Sequence, residues 1–201
     1  MDVLPWIFSS GWASGLNSYA VVLLLGVFGR FFGADGVPPA LQRTDVLIAA
    51  AVLTAIDLIA DKIPYLDSAW DTVHTVIRPG IAAAVAALIA GQAGTLNEAV
   101  AAGIAAVTAL ASHTVKAGIR AAVNTSPEPA SNLVISTAED ATVAGVVTLG
   151  VLYPWAAAVV AGVLLVIGAL LVTVLLRVIR SFRARRRART VARDPDAGHD
   201  V

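Results

Sequence analysis

The chain has 201 residues, 58% hydrophobic and 14% charged, with a mean hydropathy of +0.80, against about 45–50% apolar and about 25% charged in soluble domains. An ordinary soluble globule is excluded. The net charge of zero hides an asymmetry, because residues 1–176 hold six Lys/Arg against eleven Asp/Glu while residues 177–201 hold eight Arg against three Asp. With no cysteine, disulfides, thiolate nucleophiles and Cys-ligated metals are excluded as well.

One crossing of a bilayer core takes roughly 20 apolar helical residues, so the spacing of charges sets the elements. Residues 3–29 carry no charge and predict a first span near 11–29. Inside it, Gly11 and Gly15 have the small-xxx-small spacing of close helix contacts, and Asn17 and Ser18 supply hydrogen bonds to a neighbouring helix or a pathway. A second span is predicted over Thr44–Ala60, including Asp57, and a third from about 67 to 91. A fourth covers Thr95–Ala122 and holds Glu98, His113, Lys116 and Arg120.

Residues 141–176 form an uncharged run of 36, too long for one crossing at about 1.5 Å per residue. It must turn. Tyr153-Pro154-Trp155 is the turn, since proline lacks a backbone donor and amphipathic aromatics settle at interfaces. Helices near 133–152 and 155–179 follow. The expected fold is all-α and polytopic, with about six transmembrane helices over residues 1–180 and an Arg-rich, partly disordered cytoplasmic tail over 181–201.

Six spans place both termini on one side, and the basic tail beginning at Arg177 makes that side cytoplasmic, because positively charged loops stay inside. Lys62, Arg78, Lys116 and Arg120 then also fall inside, leaving Arg30 and Arg43 outside. Met1-Asp2-Val3 lacks the positive start of a secretory signal, so the first span is expected to remain. The tail arginines fit anionic lipid headgroups, at about 1 kcal/mol each near the surface, rather than nucleic acid.

Ser68-Ala69-Trp70-Asp71 resembles Thr137-Ala138-Glu139-Asp140, each after a proline-containing loop and opening an apolar helix. A duplication would make the second and fourth hairpins a parallel repeat, unlike the inverted repeats of many transporters.

The chemistry concentrates in two constellations. Asp67, Asp71, His74 and Arg78 fall within a sector of roughly 60° at about 100° per residue, followed by Pro79, which is expected to kink the helix. His113, Lys116 and Arg120 share a similar sector of the fourth span. Asp57, Asp61, Glu139 and Asp140 supply further negative charge at the same predicted depth. These groups are either solvated or snorkelling helix ends or a buried cluster that binds a ligand. Asp57 favours the second reading, since an unpaired carboxylate inside a span costs a few kcal/mol. The binding residues expected are therefore Asp57, Asp61, Asp67, Asp71, His74, Arg78, His113, Lys116, Arg120 and Asp140. No metal or cofactor is expected: the D-x3-D pairs are too common to specify a divalent ion, and the hydrolase, zincin, Walker and dinucleotide motifs are absent.

Three strings, Gly15 to Arg30, Asp61 to Pro79 and His113 to Pro129, resemble a bacterial membrane-protein family catalogued as a domain of unknown function, DUF4126, over roughly residues 11–176. The resemblance implies a small multi-spanning bacterial membrane protein and brings no activity. Twelve Arg against two Lys, with abundant Ala, Val and Gly, fit a GC-rich bacterium. The function expected first is a small transporter or channel of the bacterial inner membrane, with a cytoplasm-facing polar cavity for a small charged solute or lipid headgroup. An accessory or scaffold subunit, as a homo-oligomer or beside a membrane-complex partner, and an intramembrane lipid-phosphate enzyme are the alternatives.

Overall fold

The computed structural model describes the backbone of residues 3–63, 65–123 and 129–193, and the side chains of these except 129–131 and 182–193. The end of the tail, expected to be disordered, lies outside the described residues. Helix α1 spans Val3–Phe32, α2 Thr44–Ala60, α3 Leu66–Ala93, α4 Glu98–Val123, α5 Pro129–Leu152 and α6 Pro154–Arg193, with a 3-10 turn at Pro39–Gln42 before α2. Among the described residues there is no strand.

Five helices are long and apolar enough to cross a membrane, namely α1, α3, α4, Asn132–Leu152 within α5, and Pro154–Ser181 within α6. The protein is an all-α, polytopic membrane protein. Helix α2, with 17 residues, is about 25 Å long, just short of the bilayer core. Its outer face nevertheless shows Ile48, Val52, Leu53, Ile56 and Ile59, and α6 shows Val159, Val163, Val166, Leu170 and Val174. Apolar surface this extensive suits lipid rather than water.

The largest departure from the sequence expectation is α1. Asn17 leaves the helical conformation, with φ −152° and ψ 96°, and the chain turns back there. A straight helix would set Val3 and Asp35 about 48 Å apart, yet Val3, Trp6, Asp35, Gly36 and Ile89 line one cleft. The register on α5 agrees. Trp6 and Ser9 of the first arm lie against Gly150, Asn17 lies near Asp140, and Leu23 and Leu24 of the second arm return to the level of Val143 and Ala144. Thus α1 is a helical hairpin, with arms Val3–Leu16 and Ser18–Phe32 of about 21–22 Å each, and not a single span near 11–29.

This changes the topology. Val3 sits at the end of the molecule that holds the α3–α4 turn, where Gln92 and Thr95 border the same cleft. Gly168 and Val172 of α6 pack on Val115 and Gly118 in the last turns of α4, so Arg177 lies at the opposite end. The start of α1 and Arg177 are therefore at opposite ends of the bundle, because the hairpin returns the chain where a straight helix would carry it to the far end.

Helix α3 begins at Leu66 as anticipated and runs through Pro79 to Ala93, and one smaller expectation is revised. Ser68–Asp71 opens α3, whereas Thr137–Asp140 lies two turns into α5, which starts at Pro129. The α2–α3 and α4–α5 hairpins do run in the same direction, but the short sequence match does not occupy equivalent positions.

The first arm of α1 is the centre of the bundle, buried nearly throughout from Pro5 to Ser18 and packed against α3, α4, α5 and α6. Small residues permit this. A Cβ on Gly11 would lie 2.9 Å from the Ala105 Cα, and one on Gly15 would lie 2.2 Å from the Ala109 carbonyl oxygen. The Gly11/Gly15 spacing thus marks the seam between α1 and α4, as expected of a small-xxx-small pair.

Candidate functional site

At the bend of α1, the carbonyls that end the first arm have no intrahelical partner and sit at the negative end of its dipole. Cations meet them. The Arg78 Nη1 donates to the Gly15 carbonyl at 3.2 Å, and the Lys116 Nζ donates to the Leu16 carbonyl at 3.2 Å. Asn17 caps the start of the second arm, its Oδ1 accepting from the Ala20 N–H at 2.9 Å, the role that Asn favours at a helix N-cap.

The two faces anticipated from sequence spacing converge on this bend. Asp67, Asp71, His74 and Arg78 of α3 are all buried, as are His113, Lys116 and Arg120 of α4. Arg78 is fully buried and pairs with Asp57 and Asp71, each at 3.2 Å. Lys116 pairs tightly with Asp61 and lies 3.7 Å from both Asp71 and Glu139. Arg120 binds Glu139 at 2.6 Å, the Asn132 Oδ1 at 2.7 Å and the Asp61 carbonyl at 2.8 Å, with Asp67 at 3.6 Å. Lys62 and Asp140, paired at 3.1 Å and only partly covered, form the rim.

Nine of the ten residues expected to form the site are thus in one buried network, and Asp140 borders it. They are not solvated helix ends. Lys116 lies at the level of α6 residues 168–172, about 10 Å inside Arg177 along the helix, which is inside the uncharged run. A lone Lys or Arg there would cost a few kcal/mol, and the pairing offsets it.

Several members carried no charge signal in the sequence. Trp70 donates its indole N–H to Asp57 Oδ1 at 2.6 Å and stacks on His74, with ring centroids 4.6 Å apart. Tyr19 places its hydroxyl 3.1 Å from the His74 Nε2. Asn132 bridges Arg120 and the Asp61 carbonyl. Trp70 falls between Asp67 and Asp71, so its proximity was readable; Tyr19 and Asn132 were not, because their places depend on the bend of α1 and on the start of α5.

The network is not electrically balanced. Among the described residues it joins five carboxylates, of Asp57, Asp61, Asp67, Asp71 and Glu139, to three fixed cations, Arg78, Lys116 and Arg120. Asp71 is 3% exposed, and neither of its carboxylate oxygens accepts a well-formed hydrogen bond among the described residues, its Arg78 contact being ionic only. Asp71 also borders a small groove between α3 and α4, with Ser68, Thr72, Thr75 and Arg120. The arrangement can accept positive charge from a proton or a small cation. Among the described residues, no cluster of His and carboxylate groups has the geometry to hold a metal ion.

The chain belongs to the family described as domain of unknown function DUF4126, whose model matches residues 4–174. The matched region runs from α1 to about the middle of α6, with the whole of the network. No curated protein and no solved structure matches the chain.

Proposed function

We propose that the protein is a small membrane transporter or channel that moves a charged solute past the bend of α1. The observation that carries this reading is the break at Asn17, which presents the carbonyl end of a half-helix to Arg78 and Lys116 inside the membrane. Interrupted helices are tolerated at such depth only where their freed groups face protein or a polar cavity, and half-helix ends of this kind form ion and substrate sites in transporters. The excess of carboxylates favours a cationic solute over an anionic one. In this reading the end bearing the Arg-rich tail faces the cytoplasm of a bacterium, by the positive-inside preference, and the tail rests on anionic headgroups. The network then opens toward the cytoplasmic side, and the tip of the hairpin separates it from the opposite end.

Purified protein in liposomes, loaded and challenged with a panel of monovalent cations, protons and small organic ions, tests this reading. Flux above protein-free liposomes that falls at least tenfold in Arg78→Gln or Asp71→Asn is the expected result. Absence of flux for the whole panel with correctly folded protein would overturn it.

A further inference from the structure

The two buried histidines have different hydrogen-bond surroundings, and these fix which of them can take a proton. A carbonyl oxygen only accepts, and a guanidinium only donates. For His113, the Nε2 faces the Asp71 carbonyl at 3.0 Å, so Nε2 carries the hydrogen, and the Thr75 hydroxyl at 3.2 Å is a second acceptor for it. Its Nδ1 faces the Arg78 Nη1 at 3.2 Å and must accept from it. Both ring nitrogens are committed, and a proton on Nδ1 would point at a fixed cation. His113 is held neutral.

His74 is built the other way. Its Nδ1 lies 2.8 Å from the Trp70 carbonyl and must donate to it, which leaves Nε2 as the open position. That atom faces the Tyr19 hydroxyl at 3.1 Å, a group that can donate or accept. With His74 neutral, Tyr19 donates to Nε2; with a proton on Nε2, the imidazolium donates and Tyr19 accepts. Either state keeps both ring nitrogens hydrogen-bonded, and in the second the Tyr19 hydrogen turns away from the ring. Tyr19 is only partly buried.

The titratable and charged groups around His74 come from four helices. Tyr19 projects from α1 and Asp57 from α2, while Asp71 and Arg78 lie on α3 itself; His113, beyond Arg78, and Lys116 face the network from α4. With both histidines neutral the network stands at five carboxylates to three cations, and a proton on His74 brings it to five against four.

We propose that His74 is the reversible proton-binding site of this network, that the proton enters at Nε2 as the Tyr19 hydrogen bond reverses, and that His113 stays neutral as a positioning residue for Arg78. That this proton is coupled to solute movement rests on the transport reading; that His74 binds it does not. Full-length protein with ¹⁵N-labelled histidine and His199→Ala, reconstituted in lipid nanodiscs and titrated by NMR over about pH 5 to 8, the range in which imidazoles titrate, separates the two. His74→Gln and His113→Gln assign the signals. The expected result is an Nδ1 of His74 that stays protonated throughout while its Nε2 gains a proton, and a His113 that keeps its hydrogen on Nε2 alone. Tyr19→Phe is expected to shift the His74 midpoint and leave His113 unmoved. Titration of His113 in place of His74, or a His74 that keeps a single proton across the range, would overturn the proposal. In liposomes, a His74→Gln flux that no longer changes with pH supports coupling; unchanged pH dependence would overturn coupling and leave the NMR result standing.

Discussion

Buried ion pairs gain their meaning from what is left when one member is removed. Lys116 is 1% exposed and meets Asp61, Asp71, Glu139 and the Leu16 carbonyl. Lys116→Met leaves the carboxylates without their central cation, and such single deletions in buried pairs cost about 3–5 kcal/mol. Lys116→Met combined with Asp61→Asn is expected to recover part of that loss, since no unmatched charge remains at the pair. Thermal unfolding in detergent for the two single variants and the double one gives the coupling, and additive losses would mean that the pair is screened by water. A different residue-scale effect is expected at the bend. Asn17→Ala removes the acceptor of the Ala20 N–H, and loss of such a cap costs about 1 kcal/mol. Asn17→Ser keeps an uncharged acceptor there and is expected to retain most of the stability in the same assay.

At the scale of the element, the hairpin of α1 is held by its contact with α4 as much as by its own bend. Gly15 lies so close to the Ala109 carbonyl that any side chain must displace backbone. Gly15→Val is therefore expected to lower detergent stability by at least the 1–3 kcal/mol of ordinary overpacking, and to do so more than Val at Gly103, where a Cβ meets nothing within 4 Å. Equal losses at the two positions would mean that the seam is loose. The helices that carry charge were legible in the sequence because periodic charge defines a face: Asp67, Asp71, His74 and Arg78, and likewise His113, Lys116 and Arg120, are buried together as their spacing implied. The bend of α1 was not legible for the opposite reason. Residues 3–29 are uncharged throughout, so composition gives a span, and one Asn in that run reads equally well as a packing residue. Only tertiary contacts distinguish one long helix from two short arms, and those contacts are made by carbonyls, which leave no mark on side-chain pattern.

At the scale of the whole molecule, the hairpin has a consequence for topology that can be tested without any knowledge of the solute. A straight α1 would place Leu4 and Asp35 on opposite sides of the membrane. The doubled-back α1 places them on the same side, since Asp35 shares a cleft with Val3, and it places the start of the tail on the other side. The chain has no cysteine, so Leu4→Cys, Asp35→Cys and Ser181→Cys each give a single thiol at an unambiguous position. Leu4 is 51% exposed, and Asp35 and Ser181 are exposed as well. In intact bacterial cells, a membrane-impermeant maleimide is expected to label Cys at 4 and 35 and to spare Cys at 181; in inside-out vesicles the pattern is expected to invert. Labelling of 4 and 35 from opposite sides would restore the single span near 11–29. Labelling of all three from one side would instead mean that α2, at about 25 Å, does not cross. The reagent thus reads the hairpin and the short helix independently, and it reports on the membrane-embedded protein rather than on its behaviour in detergent.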